Sequence, residues 1–304
     1  MSIAVVFPGQ GSQAPGAGAA WQDHPAWALV DEAEAATGLP LAHLLLDADE
    51  AELRPTRAAQ LSVLLSSLLA WRALEPTLDR DDLVALAGHS LGQVTALIAS
   101  GAVTLDAGLR LAVARADATA AAQDRTPGAM LAFLGATEDQ ADAACAAAPG
   151  RAWIANLNGA GQIVVGGEPD ALRLVADEAL AVGVRRVQSL RVDGAFHTPL
   201  MQEAADALAP TLAGTPFRSP RTPIVTNEGT VVDVGTGWPD RLTAHLIRPV
   251  RWGDVVIQLG VMGADTIIEA GPGTTLTGLT GRIAPDSVAR SVSSPDHLPL
   301  GVER

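Results

Sequence analysis

Lysine and tyrosine are absent from this chain of 304 residues. All 20 basic residues are arginine, so any anionic ligand must be held by guanidinium groups, backbone amides or helix ends. Cysteine occurs once, at Cys145, which excludes an internal disulfide and a cysteine-rich zinc site. Positive charge is scarce beside 34 acidic residues, and the net charge of −14 argues against nucleic acid as a partner. Although 48% of the residues are hydrophobic, no uninterrupted apolar run reaches the ~18 residues that a membrane-spanning helix requires, so no membrane association is expected. The amino terminus, MSIAVVFPGQGSQ, has no basic n-region and passes directly into an apolar run. No signal peptide is read there, and a cytoplasmic location is expected.

What is present is organised around residues 83–100, LVALAGHSLGQVTALIAS. A short apolar run, a Gly-His-Ser-Leu-Gly turn and a segment with helical spacing make the pattern of a nucleophile elbow. Gly88 and Gly92 lack the Cβ atoms that would collide where the backbone doubles back, leaving Ser90 at the apex. The N–H of Leu91 then lies at a helix start, where unpaired amides favour a developing negative charge. The pentapeptide thus offers a nucleophile and half of an oxyanion hole.

Around it the chain reads as α/β. Residues 3–7, IAVVF, have the unbroken apolar character of a parallel strand buried on both faces, and PGQGSQ follows. That loop either brings the amide of Gln10 to a ligand or is an ordinary strand-to-helix turn. Helical spacing fills residues 20–80; Gln60, near the start of the last and most apolar of these helices, either points into a site or is a first-turn residue. On the next long helix Asp106 is read as the N-cap, and Arg115 falls among alanines, either paired in the interior or snorkelling to the surface. Residues 126–193 then read strand, helix, strand, strand, helix, strand, the order of a ferredoxin-like unit inserted into the larger domain, with a cleft expected between the two. His197, in GAFHTPLM, is the leading candidate for the base of an elbow serine, with His245 as its rival; His89 is poorly placed to accept a proton from its own neighbour. TIIEAGPG is another buried strand entering a loop, and residues 286–304 read as a polar, poorly ordered tail.

FPGQGSQ, GHSLG, Arg115, NLNGAGQIVVGG, GAFHTPLM, RPVRW and EAGPGTTLTGL occur in that order over about residues 3–285. Together they resemble the malonyl-CoA:acyl carrier protein transacylase family and the related acyltransferase domains of polyketide synthases. The resemblance implies a large α/β-hydrolase-like domain with a parallel sheet core, built from residues 1–125 and 194–285, around the inserted small subdomain. It implies Ser90 as acylated nucleophile, His197 as general base, Gln10 and Leu91 as backbone donors to the oxyanion, and His245 as the main-chain carbonyl that orients the base. Arg115 would hold the free carboxylate of a malonyl group, with Gln60, Phe196, Thr119, Met130 and Asn158 completing the substrate-binding set. Malonyl-CoA and an acyl carrier protein are the implied partners, coenzyme A entering as a substrate thioester with no metal and no separate cofactor.

Three positions depart from the pattern. Relatives often carry glycine directly after the arginine and methionine four positions after it, where this chain has Ala116 and Thr119, and Gln93 stands where glutamate is more usual. Thr119 argues for a wider acyl pocket, whereas the bulk of Phe196 argues against an α-methyl branch; malonyl therefore ranks ahead of methylmalonyl. An α/β-hydrolase such as a thioesterase is the competing enzyme reading, with Asp177 or Glu178 as the acid between serine and histidine. A non-catalytic carrier-docking module is the other. Because carriers are themselves acidic, docking is expected to use Arg185, Arg186, Arg191, Arg248 and Arg251.

Overall fold

The computed structural model describes residues 1–298. Its strands, in chain order, are β1 (Ile3–Phe7), β2 (Leu83–Gly88), β3 (Ala129–Leu134), β4 (Ala152–Gly159), β5 (Gln162–Gly167), β6 (Arg186–Ser189), β7 (Ile224–Val225), β8 (Val231–Val232), β9 (Thr266–Ala270) and β10 (Val288–Val292). They form a six-stranded sheet of order β10-β9-β1-β2-β7-β8 and a four-stranded sheet of order β4-β5-β3-β6. In the larger sheet β1 pairs in parallel with β2 and β9, β9 with β10, and β2 with β7; only the β7–β8 pair is antiparallel. The smaller sheet is antiparallel throughout.

The apolar run of β1 is explained by its place at the centre of the larger sheet. Ile3, Val5 and Phe7 face one core with the helix Thr56–Leu74, while Ala4 and Val6 face a second core with Trp252, Val256 and Leu276. Such a strand has no solvent face, which is why no alternation appears in its sequence. The helix Thr56–Leu74 is buried nearly all round, and each of its fully buried leucines contributes roughly 1.5–3 kcal/mol. The smaller sheet packs Leu131, Phe133 and Val165 against its own helices, and turns Met130, Ala155 and Val164 toward Leu190, Val192 and Phe196. The two sheets are tied together beside RPVRW, where Leu157 N–H donates to Val250 O at 2.8 Å and Val250 N–H to Ala155 O at 3.0 Å.

Two expectations need correction. Thr104, not Asp106, caps the helix Leu105–Arg125, its hydroxyl accepting from Ala107 N–H at 3.3 Å; Asp106 lies in the first turn and pairs with Arg110. Nor is residue 286 the start of a tail, because Val288–Val292 adds the edge strand β10 to the larger sheet. An edge strand needs only one neighbour, so its residues alternate between exposed and partly covered and keep the polar look of a loop. Residues 299–304 of the expected tail lie outside the described residues. No helix among the described residues is long and apolar enough to cross a membrane.

Candidate active site

The turn after β2 has the geometry its glycines require. A Cβ on Gly88 would lie 1.9 Å from the backbone of Gly92, and one on Gly92 would lie 2.1 Å from Phe7 O. Between them Ser90 takes a left-handed backbone, φ 53°, which for a side-chain-bearing residue costs about 1–2 kcal/mol. Asn227, from the loop after β7, supports the bend: its Oδ1 accepts from Ser90 N–H at 2.9 Å, and its Nδ2 donates to Gly88 O at 3.0 Å and to Gln93 Oε1 at 2.9 Å. One side chain therefore bonds to both arms of the turn. The reading of the sequence gave Asn227 no role; in TPIVTNEGT it looks like turn chemistry, and nothing local points across 137 residues to the elbow.

His197 also has a left-handed backbone, φ 60°, and its Nε2 lies 2.7 Å from Ser90 Oγ. Its Nδ1–H donates to His245 O at 2.8 Å, which leaves the lone pair of Nε2 facing the serine hydroxyl. The two candidate histidines thus divide the work, one presenting its ring to Ser90 and the other its backbone carbonyl to that ring. The His197 pKa is pushed down to about 3, chiefly by burial and then by the charge of Arg115, against the opposing pull of the His245 carbonyl. At neutral pH the ring is an uncharged acceptor, and a hydroxyl so placed can pass it a proton as the oxygen forms a bond elsewhere. His89 turns away from the serine, with Nε2 3.0 Å from Asn158 Oδ1.

Arg115 is buried, which removes the snorkelling alternative. Its guanidinium donates to Gln60 Oε1 at 2.6 Å and to Ser90 Oγ at 3.2 Å, and no carboxylate pairs with it among the described residues. Burial pulls its pKa down to about 10, so it stays cationic at neutral pH. A buried cation without a counter-charge is costly, and an anion entering from solvent relieves that cost.

These groups line a cleft of about 930 Å³ between the two sheets. Gln10, Gln60, Ser90, Arg115, Met130, Asn158, Phe196 and His197 all contribute to its wall. Thr119 does not: it is fully buried behind Gln60, so its small size cannot widen the pocket as the sequence led us to expect. The Leu91 side chain is likewise buried, which leaves its backbone N–H as the group it can offer. Neither that amide nor the amide of Gln10 has a hydrogen-bond partner among the described residues, whereas those of Ser90, Gly92 and Gln93 do.

Residues 4–282 match the family described as acyl transferase domain. The chain belongs to that family. It is 32% identical over 308 residues to the malonyl CoA-acyl carrier protein transacylase of Escherichia coli K12, with 99% of each chain covered. Among solved structures it resembles the malonyl-CoA:acyl carrier protein transacylase of Xanthomonas oryzae at TM-score 0.92 and 35% identity, covering 98% of this chain and 97% of that one. A malonyl-transacylase in complex with the acyl-carrier protein of a type II polyketide synthase superposes at TM-score 0.92 and 33% identity, covering 97% and 96%. For a chain of the acyl transferase family, the two features that stand out are the base held by a neutral carbonyl and the cation left without a carboxylate.

Proposed function

We propose that the chain moves a malonyl group from coenzyme A to the phosphopantetheine thiol of an acyl carrier protein, through an acyl-serine intermediate and in the cytoplasm. The observation that carries this reading is the buried Arg115 guanidinium, 3.2 Å from Ser90 Oγ and without a protein carboxylate to neutralise it. A planar guanidinium meets a carboxylate with two parallel hydrogen bonds, so a dicarboxylic acyl group is gripped at its free end while its thioester carbonyl lies at the serine.

In the first half-reaction Ser90 Oγ attacks the thioester carbonyl as its proton passes to His197 Nε2. The tetrahedral oxyanion is met by the N–H groups of Gln10 and Leu91, donors worth about 3 kcal/mol each in comparable sites. Collapse breaks the C–S bond, and the proton on Nε2 goes to the departing sulfur. The carrier thiol then gives its proton to Nε2, attacks the Ser90 ester and restores the hydroxyl. The carbonyl of His245 orients the base throughout, and Asn227 holds the elbow.

The fold reading that accompanies this proposal is an α/β-hydrolase-like large domain with a ferredoxin-like insert, supported by the β4-β5-β3-β6 order of the smaller sheet. The thioesterase alternative lacks its acid, since His197 Nδ1 bonds to a backbone carbonyl rather than to Asp177 or Glu178, both of which lie on the helix Pro169–Ala181 of the insert. Phe196 on the cleft wall favours malonyl over a branched extender. For carrier docking, Arg191 borders the cleft, while Arg251 is engaged by Asp254 and Glu138. Arg185 and Arg186 therefore carry more of the proposed attraction to an acidic carrier than Arg251 does.

Intact-mass measurement after incubation with malonyl-CoA, followed by addition of holo carrier protein, tests the proposal. A malonyl adduct on Ser90 that transfers to the carrier much faster than to water is expected. Absence of the adduct, or equal rates to water and carrier, overturns it.

A further inference from the structure

Behind the cleft a hydrogen-bond circuit leaves Arg115 by its backbone and returns to it by its side chain. Thr119 lies one turn after Arg115 on the helix Leu105–Arg125 and is fully buried. Its Oγ1 is 2.9 Å from Arg115 O and 3.1 Å from Ala116 O. Both carbonyls only accept, so the hydroxyl proton is committed to one of them. What remains at Oγ1 is lone pairs, and Gln60 Nε2 donates to them at 3.0 Å. With its NH₂ turned to Thr119, the Gln60 amide presents Oε1 to Arg115, whose guanidinium donates to it at 2.6 Å. The reverse amide orientation sets NH₂ against a guanidinium and a carbonyl oxygen against a hydroxyl with no proton left to give. Gln10 Oε1, 3.4 Å from the same Nε2, is the weaker of the two acceptors.

Resting on the reading of Arg115 as the carboxylate clamp, we infer that Thr119 is a positioning residue for acyl selectivity: its hydroxyl fixes the polarity of the Gln60 amide, and Gln60 in turn fixes the guanidinium plane presented to a dicarboxylic acyl group. Thr119 touches no substrate, since it lies off the cleft wall. Its effect falls on substrates that have a carboxylate to bind, and far less on an acyl group without one. A hydroxyl that merely satisfied the helix backbone would show no such preference.

The test uses Thr119→Val, which keeps the shape and removes the hydroxyl, and Thr119→Ser, which keeps the hydroxyl. Each is assayed with malonyl-CoA and acetyl-CoA as donors, and folding is checked by melting temperature. In Thr119→Val the malonyl-over-acetyl ratio of kcat/KM is expected to fall about tenfold, mostly through KM for malonyl-CoA, the upper scale of one lost neutral hydrogen bond. Thr119→Ser restores the ratio. Gln60→Met lowers the ratio by itself, and adding Thr119→Val to it causes little further loss, because both changes open the same circuit. An unchanged ratio in Thr119→Val, equal losses for both donors, or additive effects in the double variant overturns the inference. If the unaltered protein does not favour malonyl over acetyl, the clamp reading itself fails, and that result is read before any variant is made.

Discussion

The two ends of the cleft are built from different materials. At the reacting end, Ser90 and His197 both have left-handed backbones, and their partners are the carbonyl of His245 and the Asn227 side chain that clasps the turn. At the gripping end, Arg115 is held by the side chains of Gln60 and, through it, Thr119. The main-chain anchor of the base changes only if the fold changes, whereas the side-chain anchors, Asn227 at one end and Gln60 and Thr119 at the other, change with single substitutions. The orientation of the base is thus tied to the architecture, and the choice of acyl group is left adjustable.

The largest effects should come from the reacting end and should not depend on the acyl group. Ser90→Ala is expected to abolish the covalent adduct. His197→Ala is expected to slow acylation by about 10²–10⁴-fold with malonyl-CoA and acetyl-CoA alike, the range for loss of a general base. Stopped-flow acylation rates check this, and a donor-dependent loss would break the division between the two ends.

Arg115→Leu should cost about 2–5 kcal/mol of malonyl transfer and far less of acetyl transfer, read as kcat/KM for each donor. The same change makes a pH prediction. The Arg115 charge is among the causes that hold His197 low, so removing it must raise the His197 pKa from about 3. Activity requires the neutral ring and is lost as pH falls through that pKa, so the acid limb of the variant's pH profile with acetyl-CoA should move to higher pH. An acid limb that stays in place or moves lower would contradict the assigned cause.

Asn227→Ala leaves Ser90 N–H and Gly88 O without the partner they share, and each buried group so orphaned costs about 1–3 kcal/mol. Its loss should appear equally with both donors, in kcat rather than KM, together with a lowered melting temperature. The smallest effect is expected outside the cleft: Arg185→Glu with Arg186→Glu should weaken transfer to the carrier severalfold at low salt and leave acylation by malonyl-CoA as it was. Carrier titrations at two ionic strengths check it, and an unaltered carrier KM removes these arginines from the docking surface.

The same division governs what was legible in the sequence. The reacting end announces itself locally, because Gly88 and Gly92 flank Ser90 at fixed spacing and His197 follows a glycine-led loop into a helix. The central parallel strand was equally plain, since β1 is an unbroken apolar run. What stayed hidden depends on contacts between distant segments. Asn227 reads as a turn residue until β7 is set beside β2. Helical spacing places Thr119 near Arg115 but does not say that Gln60 stands between it and the cleft. Edge position, rather than composition, makes a strand of Val288–Val292, and a threonine two residues earlier caps the helix that Asp106 was expected to cap.

The uncharged carbonyl behind His197 bears on why water should not steal the acyl group. An aspartate there would strengthen the imidazole as a base; the carbonyl also raises its pKa, but burial and a nearby cation outweigh it and hold the ring at about 3. A thiol, of pKa about 8.5, gives up its proton about seven powers of ten more readily than water, near 15.7, whatever base receives it. With the same base serving the Ser90 hydroxyl and the carrier thiol, selection falls to the acidity of the incoming nucleophile, and the ester waits for sulfur.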